Sequence, residues 1–195
     1  MPTKELPCAR ERNSTRRDQL LVAAAKLFAE SGFHGATIEE IGGAAGISGP
    51  GVYKHFASKD AVLAEMLVGI SHYLLDNGRR VVAEADSHAD AIEQLVAFQT
   101  TFAFSSPDLI RVHDRELANL SRNESQKVRR LQRAYVELWV EVMMEMQPRL
   151  SLDSARTKAH AAFGLLNSTP HSALTRSAEL VSPILRRMAL TALNA

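Results

Sequence analysis

Apolar side chains recur every three or four residues along almost the whole chain, and no stretch alternates apolar and polar residues as a half-buried strand does. Helices bury such a pattern on one face, so the chain is predicted to be all-α, with about nine helices. The stripe Leu20, Leu21, Ala24, Leu27 and Phe28 predicts a first helix from Asn13 to about Ser31, closed by Gly32 as a C-terminal cap. Thr37-Ile38-Glu39-Glu40 has the form of a capping box and opens a second helix, which runs to about Ala45 and stops at Gly46. Ser48 opens a third, with Pro50 in its first turn, ending near Phe56. Longer helices open at Ser58, at Ser87 or His88, at Ser106-Pro107 and at Ser121, and Pro148 stops the last of these. Two more are expected over Asp153 to about Thr169 and Thr175 to about Ala192.

These helices group into a leader over 1–12, a three-helix head over 13–57 and a helical body over 58–195. Hydrophobic residues make up 46% and charged residues 23%, a balance that supports a packed core. The net charge is only +1, so any affinity for nucleic acid must come from where the charges lie. Cys8, the sole cysteine, excludes a disulfide within the chain and suits a reducing compartment. No signal-peptide pattern follows the first residues, and charges such as Lys26 break the longest apolar stretches. A cytoplasmic protein without membrane contact is expected. The sequons at Asn13, Asn119, Asn123 and Asn167 are then chance matches.

The feature richest in chemistry is the pair of short helices joined by Ala45-Gly46-Ile47-Ser48. The turn needs a glycine, and Ile41, Ala45, Ile47 and Val52 supply the apolar packing that sets two helices at a steep angle. In a helix-turn-helix the second helix enters the major groove of DNA. Its surface here would offer Ser48, Gly49, Pro50, Gly51, Tyr53, Lys54 and His55, with Phe56 in the core. Lys54 and Lys59 are placed to meet phosphates, and Thr37 and Ser48 stand at helix N-termini that favour an anion. Arg10, Arg12, Arg16 and Arg17 could add backbone contacts. Two glycines and a proline on the groove-facing turn leave few long side chains for base readout, which shifts discrimination toward DNA shape.

Thr37-Ile38, Ile41, Ala44-Ala45-Gly46-Ile47-Ser48, Val52-Tyr53-Lys54-His55-Phe56 and Ser58-Lys59-Asp60-Ala61-Val62-Leu63 together resemble the N-terminal signature of the TetR, or tetracycline-repressor-like, family. The likeness spans about Arg16 to Leu67. It implies a nine-helix fold, a homodimer formed through the last two helices, a ligand cavity among the central helices, and DNA contacts from Thr37, Tyr53, His55 and Lys59. A repressor released from a palindromic operator by a small molecule is the behaviour so implied.

In the body, Phe98, Phe102, Trp139, Met143 and Phe163 are core by periodicity, yet aromatic and methionine side chains also line adaptable pockets. His113, Asn167 and His171 are polar candidates for a ligand's head group, because buried polar groups must be paired. The run His113 to Leu117 with Asn167 to His171 is similar to TetR-like regulators of acyl-CoA or branched-chain acid catabolism, which implies a largely apolar effector such as an acyl-CoA. Ala159, Ala162 and Leu166, with Leu180, Ile184 and Met188, form two stripes suited to a four-helix dimer interface. No phosphate-cradling loop, metal-ligand spacing or nucleophile turn is present, so an enzyme is not expected and no cofactor or metal is assigned. The rival reading is an α-helical carrier or scaffold that has lost operator binding. Against it stands the intact pattern from Thr37 to Leu63.

Overall fold

A computed structural model describes residues 15–169 and 178–195. Its helices, in chain order, are α1 (Arg16–Gly35), α2 (Ile38–Ala44), α3 (Gly49–Val52), α4 (Lys59–Glu84), α5 (His88–Ser105), α6 (Pro107–Glu116), α7 (Arg122–Met146), α8 (Leu152–Leu166) and α9 (Ala178–Asn194), with a 3₁₀ turn at Leu117–Asn119. No strand occurs among the described residues. Hydroxyl side chains begin most of these helices, each accepting from an amide three residues on: Thr15 from Asp18, Thr37 from Glu40, Ser48 from Gly51, Ser58 from Ala61, Ser87 from Asp90, Ser121 from Glu124 and Ser151 from Ser154.

The chain divides into two compact units. The first holds the described residues up to Tyr73 together with Asp108–Arg129; the second holds Leu74–Pro107 and Arg130–Ala195. The expected cut after residue 57 therefore does not coincide with the compact units, because the start of α4 and most of α6 join the head.

In the first unit, α1 packs on α2 and α2 on α3, around Leu20, Ala24, Phe28, Ile41, Val52, Leu63 and Leu67. Gly32 takes φ 75°, which breaks α1 where a cap was expected, but one further turn follows to Gly35. The Phe28 and Ala29 carbonyls lie in the turn just before this break. Arg115 of α6 donates to both, at 2.9 and 2.6 Å. Next to it the buried Glu116 accepts from Asn119 at 2.7 Å, and Asn119 meets His34 of α1 at 3.0 Å.

In the second unit, α9 packs on α5 and α8, and α5 reaches α8. Its core is built from Leu95, Val96, Trp139, Met143, Ala155, Ala159, Ala162, Leu166, Ala189 and Leu193. Ala159, Ala162 and Leu166 are thus covered within a single protomer, which corrects their expected place on a dimer surface: periodicity shows that a stripe is buried, not what buries it. The other stripe stays open. Leu180, Ile184 and Met188, spaced one turn apart on α9, remain 69%, 54% and 51% exposed. No helix among the described residues is long and apolar enough to cross a membrane.

Candidate functional site

The helix-turn-helix is held by local chemistry. The Thr37 hydroxyl accepts from the Glu40 amide at 3.2 Å while the Glu40 carboxylate takes the Thr37 amide at 2.8 Å and its hydroxyl at 2.9 Å. The backbone and hydroxyl hydrogen bonds from Thr37 hold the Glu40 carboxyl below its usual range. With donor and acceptor both engaged, Thr37 serves α2 before it can serve a ligand.

Gly46 makes the turn at φ 73°. Gly42, which the sequence pattern does not single out, lets the two helices meet: a Cβ there would lie 2.9 Å from the Ile47 carbonyl oxygen and 3.1 Å from the Ser48 carbonyl carbon. A glycine one turn before an expected crossing was the available signal.

The third helix is shorter than expected. It ends at Val52 rather than near Phe56, and the chain continues as hydrogen-bonded turns, with His55 N donating to Val52 O at 2.9 Å and Phe56 N to Val52 O at 3.0 Å. Gly49, Pro50 and Gly51 are poor helix formers, so little of an α-helical ladder survives there. Val52 and Phe56 face the core, whereas Tyr53 is 55% exposed and Lys54 is open beside it. Ser48 and Pro50 are also exposed, and Gly51 and His55 are half-buried. Gly49 is corrected as a groove residue: it is buried, and a Cβ on it would touch Glu39 at 3.2 Å.

Three cations expected to meet phosphate already serve the head. Arg16 donates to the Ala45 carbonyl at the end of α2, at 2.9 Å. Arg17 donates to the His55 carbonyl, forms a two-armed pair with Glu65 of α4 and lies 4.3 Å above the Phe56 ring. Its hydrogen bond to Glu65 pushes the guanidinium pKa up further. Lys59 donates to the carbonyls of Phe33 and Ala36, both at 2.7 Å, over the Phe33 ring. Arg16 and Lys59 sit at the carbonyl ends of α2 and α1, where the helix dipole favours a cation. Their first task is to join helices, whereas Lys54, among the described residues, is exposed on the α3 side.

In the second unit, Trp139, Met143 and Phe102 are buried, and Phe98, Phe163 and Asn167 are half-buried. Trp139 lies in a ring cluster, 4.7 Å from Phe163 and 6.2 Å from Tyr135 between centroids. A polar chain leads away from it. Tyr135 donates its hydroxyl to Gln99 at 3.2 Å, and Gln99 donates to Asn167 at 2.8 Å. Gln99 and Tyr135 were missed in the sequence, though a glutamine on the buried stripe of α5 was a legible signal. His113 belongs to the first unit. His171 lies outside the described residues. Among the described residues, two buried side-chain nitrogens have no hydrogen-bond partner, Trp139 Nε1 and Arg186 Nε, and both are in this unit. No group of three or more His, Cys, Asp or Glu among the described residues is arranged to hold a metal.

The fold, with Tyr53 and Lys54 exposed just after the third helix, defines a helix-turn-helix protein with a second helical unit. Residues 20–66 match the family model for bacterial regulatory proteins of the tetR family, and residues 85–171 match the tetracyclin repressor-like C-terminal domain. The chain belongs to the tetR family. A curated relative, the HTH-type transcriptional repressor KstR2 of Rhodococcus jostii, is 33% identical over 67% of this chain and 64% of its own length. The chain therefore spans just under two thirds of that relative. The structure of the ketosteroid transcriptional regulator KstR2 of Mycobacterium tuberculosis shares the fold, with a TM-score of 0.79 at 21% identity over 96% of this chain and 97% of that one. AibR, solved in complex with isovaleryl coenzyme A and operator DNA, shares it with a TM-score of 0.72 at 17% identity over 89% and 97% of the two chains.

Proposed function

We propose that this protein is a dimeric, ligand-responsive transcriptional repressor of the cytoplasm. It docks the segment from Ser48 to His55 in the major groove of a palindromic operator and leaves DNA when a small, largely apolar molecule enters its second unit. One observation carries the reading: Tyr53 and Lys54 stand open to solvent while Val52 and Phe56, on the same turns, are buried. Held on a turn whose other side is packed, these two side chains are free to reach base edges and phosphates. Two such segments are needed, since one short helix offers few contacts, and the open stripe Leu180, Ile184 and Met188 is an apolar face suited to a second copy. The effector reading draws on the aromatic cluster and its unpaired indole N–H, and on the isovaleryl coenzyme A bound by AibR. An acyl thioester is the effector class that fits this company.

The test is a fluorescence-anisotropy titration of the dimer against DNA from upstream of its own gene, with a scrambled duplex as control. Tight binding to the first is expected. Lys54→Ala should lower the salt slope by about one, because one phosphate is no longer neutralised. Equal affinity for both duplexes, with no effect of Tyr53→Ala, would leave the carrier reading in possession.

A further inference from the structure

We infer that the indole N–H of Trp139 is the donor that receives a neutral carbonyl oxygen of the effector. This rests on the reading that the second unit takes a ligand, and it names the chemistry of that ligand's polar group.

A buried tryptophan nearly always gives its N–H to an acceptor, because the donor lost its water on folding. Trp139 is 0% exposed, and its Nε1 has none. The amide oxygens of the polar chain that starts at Tyr135 each already accept one hydrogen bond. Gln99 Oε1 is taken by the Tyr135 hydroxyl, and Asn167 Oδ1 is taken by Gln99. Through Tyr135 this chain abuts the indole yet leaves it unpaired. The unmet group is a single donor, so the missing partner is an acceptor.

The acceptor is uncharged. Tyr135, Phe163, Gln99 and Asn167, which form the ring cluster and its polar chain, all lack a charge. A carboxylate placed there would lose its hydration with only a neutral donor in return. A ketone, ester or thioester carbonyl needs one good donor and apolar surroundings, which is what the cluster provides. Entry is from the side of Phe163. Of the three rings only Phe163 is half-buried, so it is the one that can swing from the indole at least cost.

Trp139 is the only tryptophan in the chain, so its indole N–H gives a single resonance in a ¹⁵N-labelled sample. The full-length protein is titrated with cyclohexanone and, separately, with methylenecyclohexane, which has the same ring without the oxygen. The ketone should move the indole proton downfield and saturate; the hydrocarbon should not move it in that direction. Trp139→Phe should bind the ketone about tenfold more weakly by calorimetry while binding the hydrocarbon as wild type does, the change expected for removing one hydrogen bond. Phe163→Ala should saturate at lower ketone concentration. No saturable shift, an equal shift with both probes, or an unchanged ketone affinity in Trp139→Phe overturns the assignment. Operator binding is measured on the same samples. Loss of the indole response with DNA binding intact removes this site alone, and the reverse removes the regulator reading alone.

Discussion

Alanine at Gly42 adds one methyl group at the point where the two helices of the head come closest. The new carbon would lie 2.9 Å from Ile47 O, 3.0 Å from Val52 Cγ2 and 3.1 Å from Ser48 C. Two of these are backbone atoms, so no side-chain rotation relieves the overlap, and the turn must move away from α2. Gly43, the next residue of the same helix, would meet nothing within 4 Å. Each substitution also gains about 0.5–1 kcal/mol from restricting the unfolded chain and favouring helix. That gain is common to both and cancels in their difference. What remains is the clash, about 1–3 kcal/mol by the cost of overpacking. For a chain of this length the gap corresponds to about 2–12 °C in melting temperature, from about 2–4 °C per kcal/mol. Gly43→Ala should therefore melt slightly above wild type and Gly42→Ala well below Gly43→Ala, as read by circular dichroism on heating and by urea midpoints. Because the displaced element carries Tyr53 and Lys54, Gly42→Ala should also bind operator more weakly than Gly43→Ala. Equal melting temperatures, both raised, would refute the argument that close approach of the helices selects glycine at Gly42.

Lys59→Ala removes two charge-assisted hydrogen bonds to the end of α1 and should cost about 2 kcal/mol in urea unfolding, whatever it does to DNA binding. Tyr53→Ala touches an exposed side chain, so its unfolding midpoint should stay within about 0.5 kcal/mol of wild type while operator affinity falls in a gel-shift titration. Ile184→Asp should give a folded monomer by light scattering, because the residue is exposed in the protomer and a partner would bury its charge unpaired. Glu40 is held below its usual range by Thr37, so its share of stability is complete above the ordinary carboxylate range and is lost as pH falls through the depressed value. The deficit of Glu40→Ala against wild type in urea midpoints should accordingly be largest near neutrality and shrink on acidification; a deficit independent of pH would contradict the capping box.

The elements that depend on near neighbours were legible without coordinates. Thr37 with Glu40, Ser48 before Pro50, Gly46 at the turn and the serines opening α4, α5 and α7 all act over three or four residues, and their hydrogen bonds are where that spacing puts them. Periodicity likewise marked Val52 and Phe56 as core. What it could not decide was the partner of any long side chain. Arg16, Arg17 and Lys59 look like free cations along the chain, and each turns to carbonyls or a carboxylate brought from 23 to 48 residues away. The alanines of α8 and the open stripe of α9 share one helical pattern, and only the packing of α8 on α9 separates the face already covered from the face left over. Gly42, Gln99 and the unpaired indole of Trp139 belong to the same class. Hydrogen bonds along a helix reach four residues, so the sequence marks caps and turns well, although α1 runs on to Gly35 and α3 ends early at Val52. Whether a buried donor is paired, or a cation spent, depends on atoms far away in the chain, and the tertiary structure alone decides it.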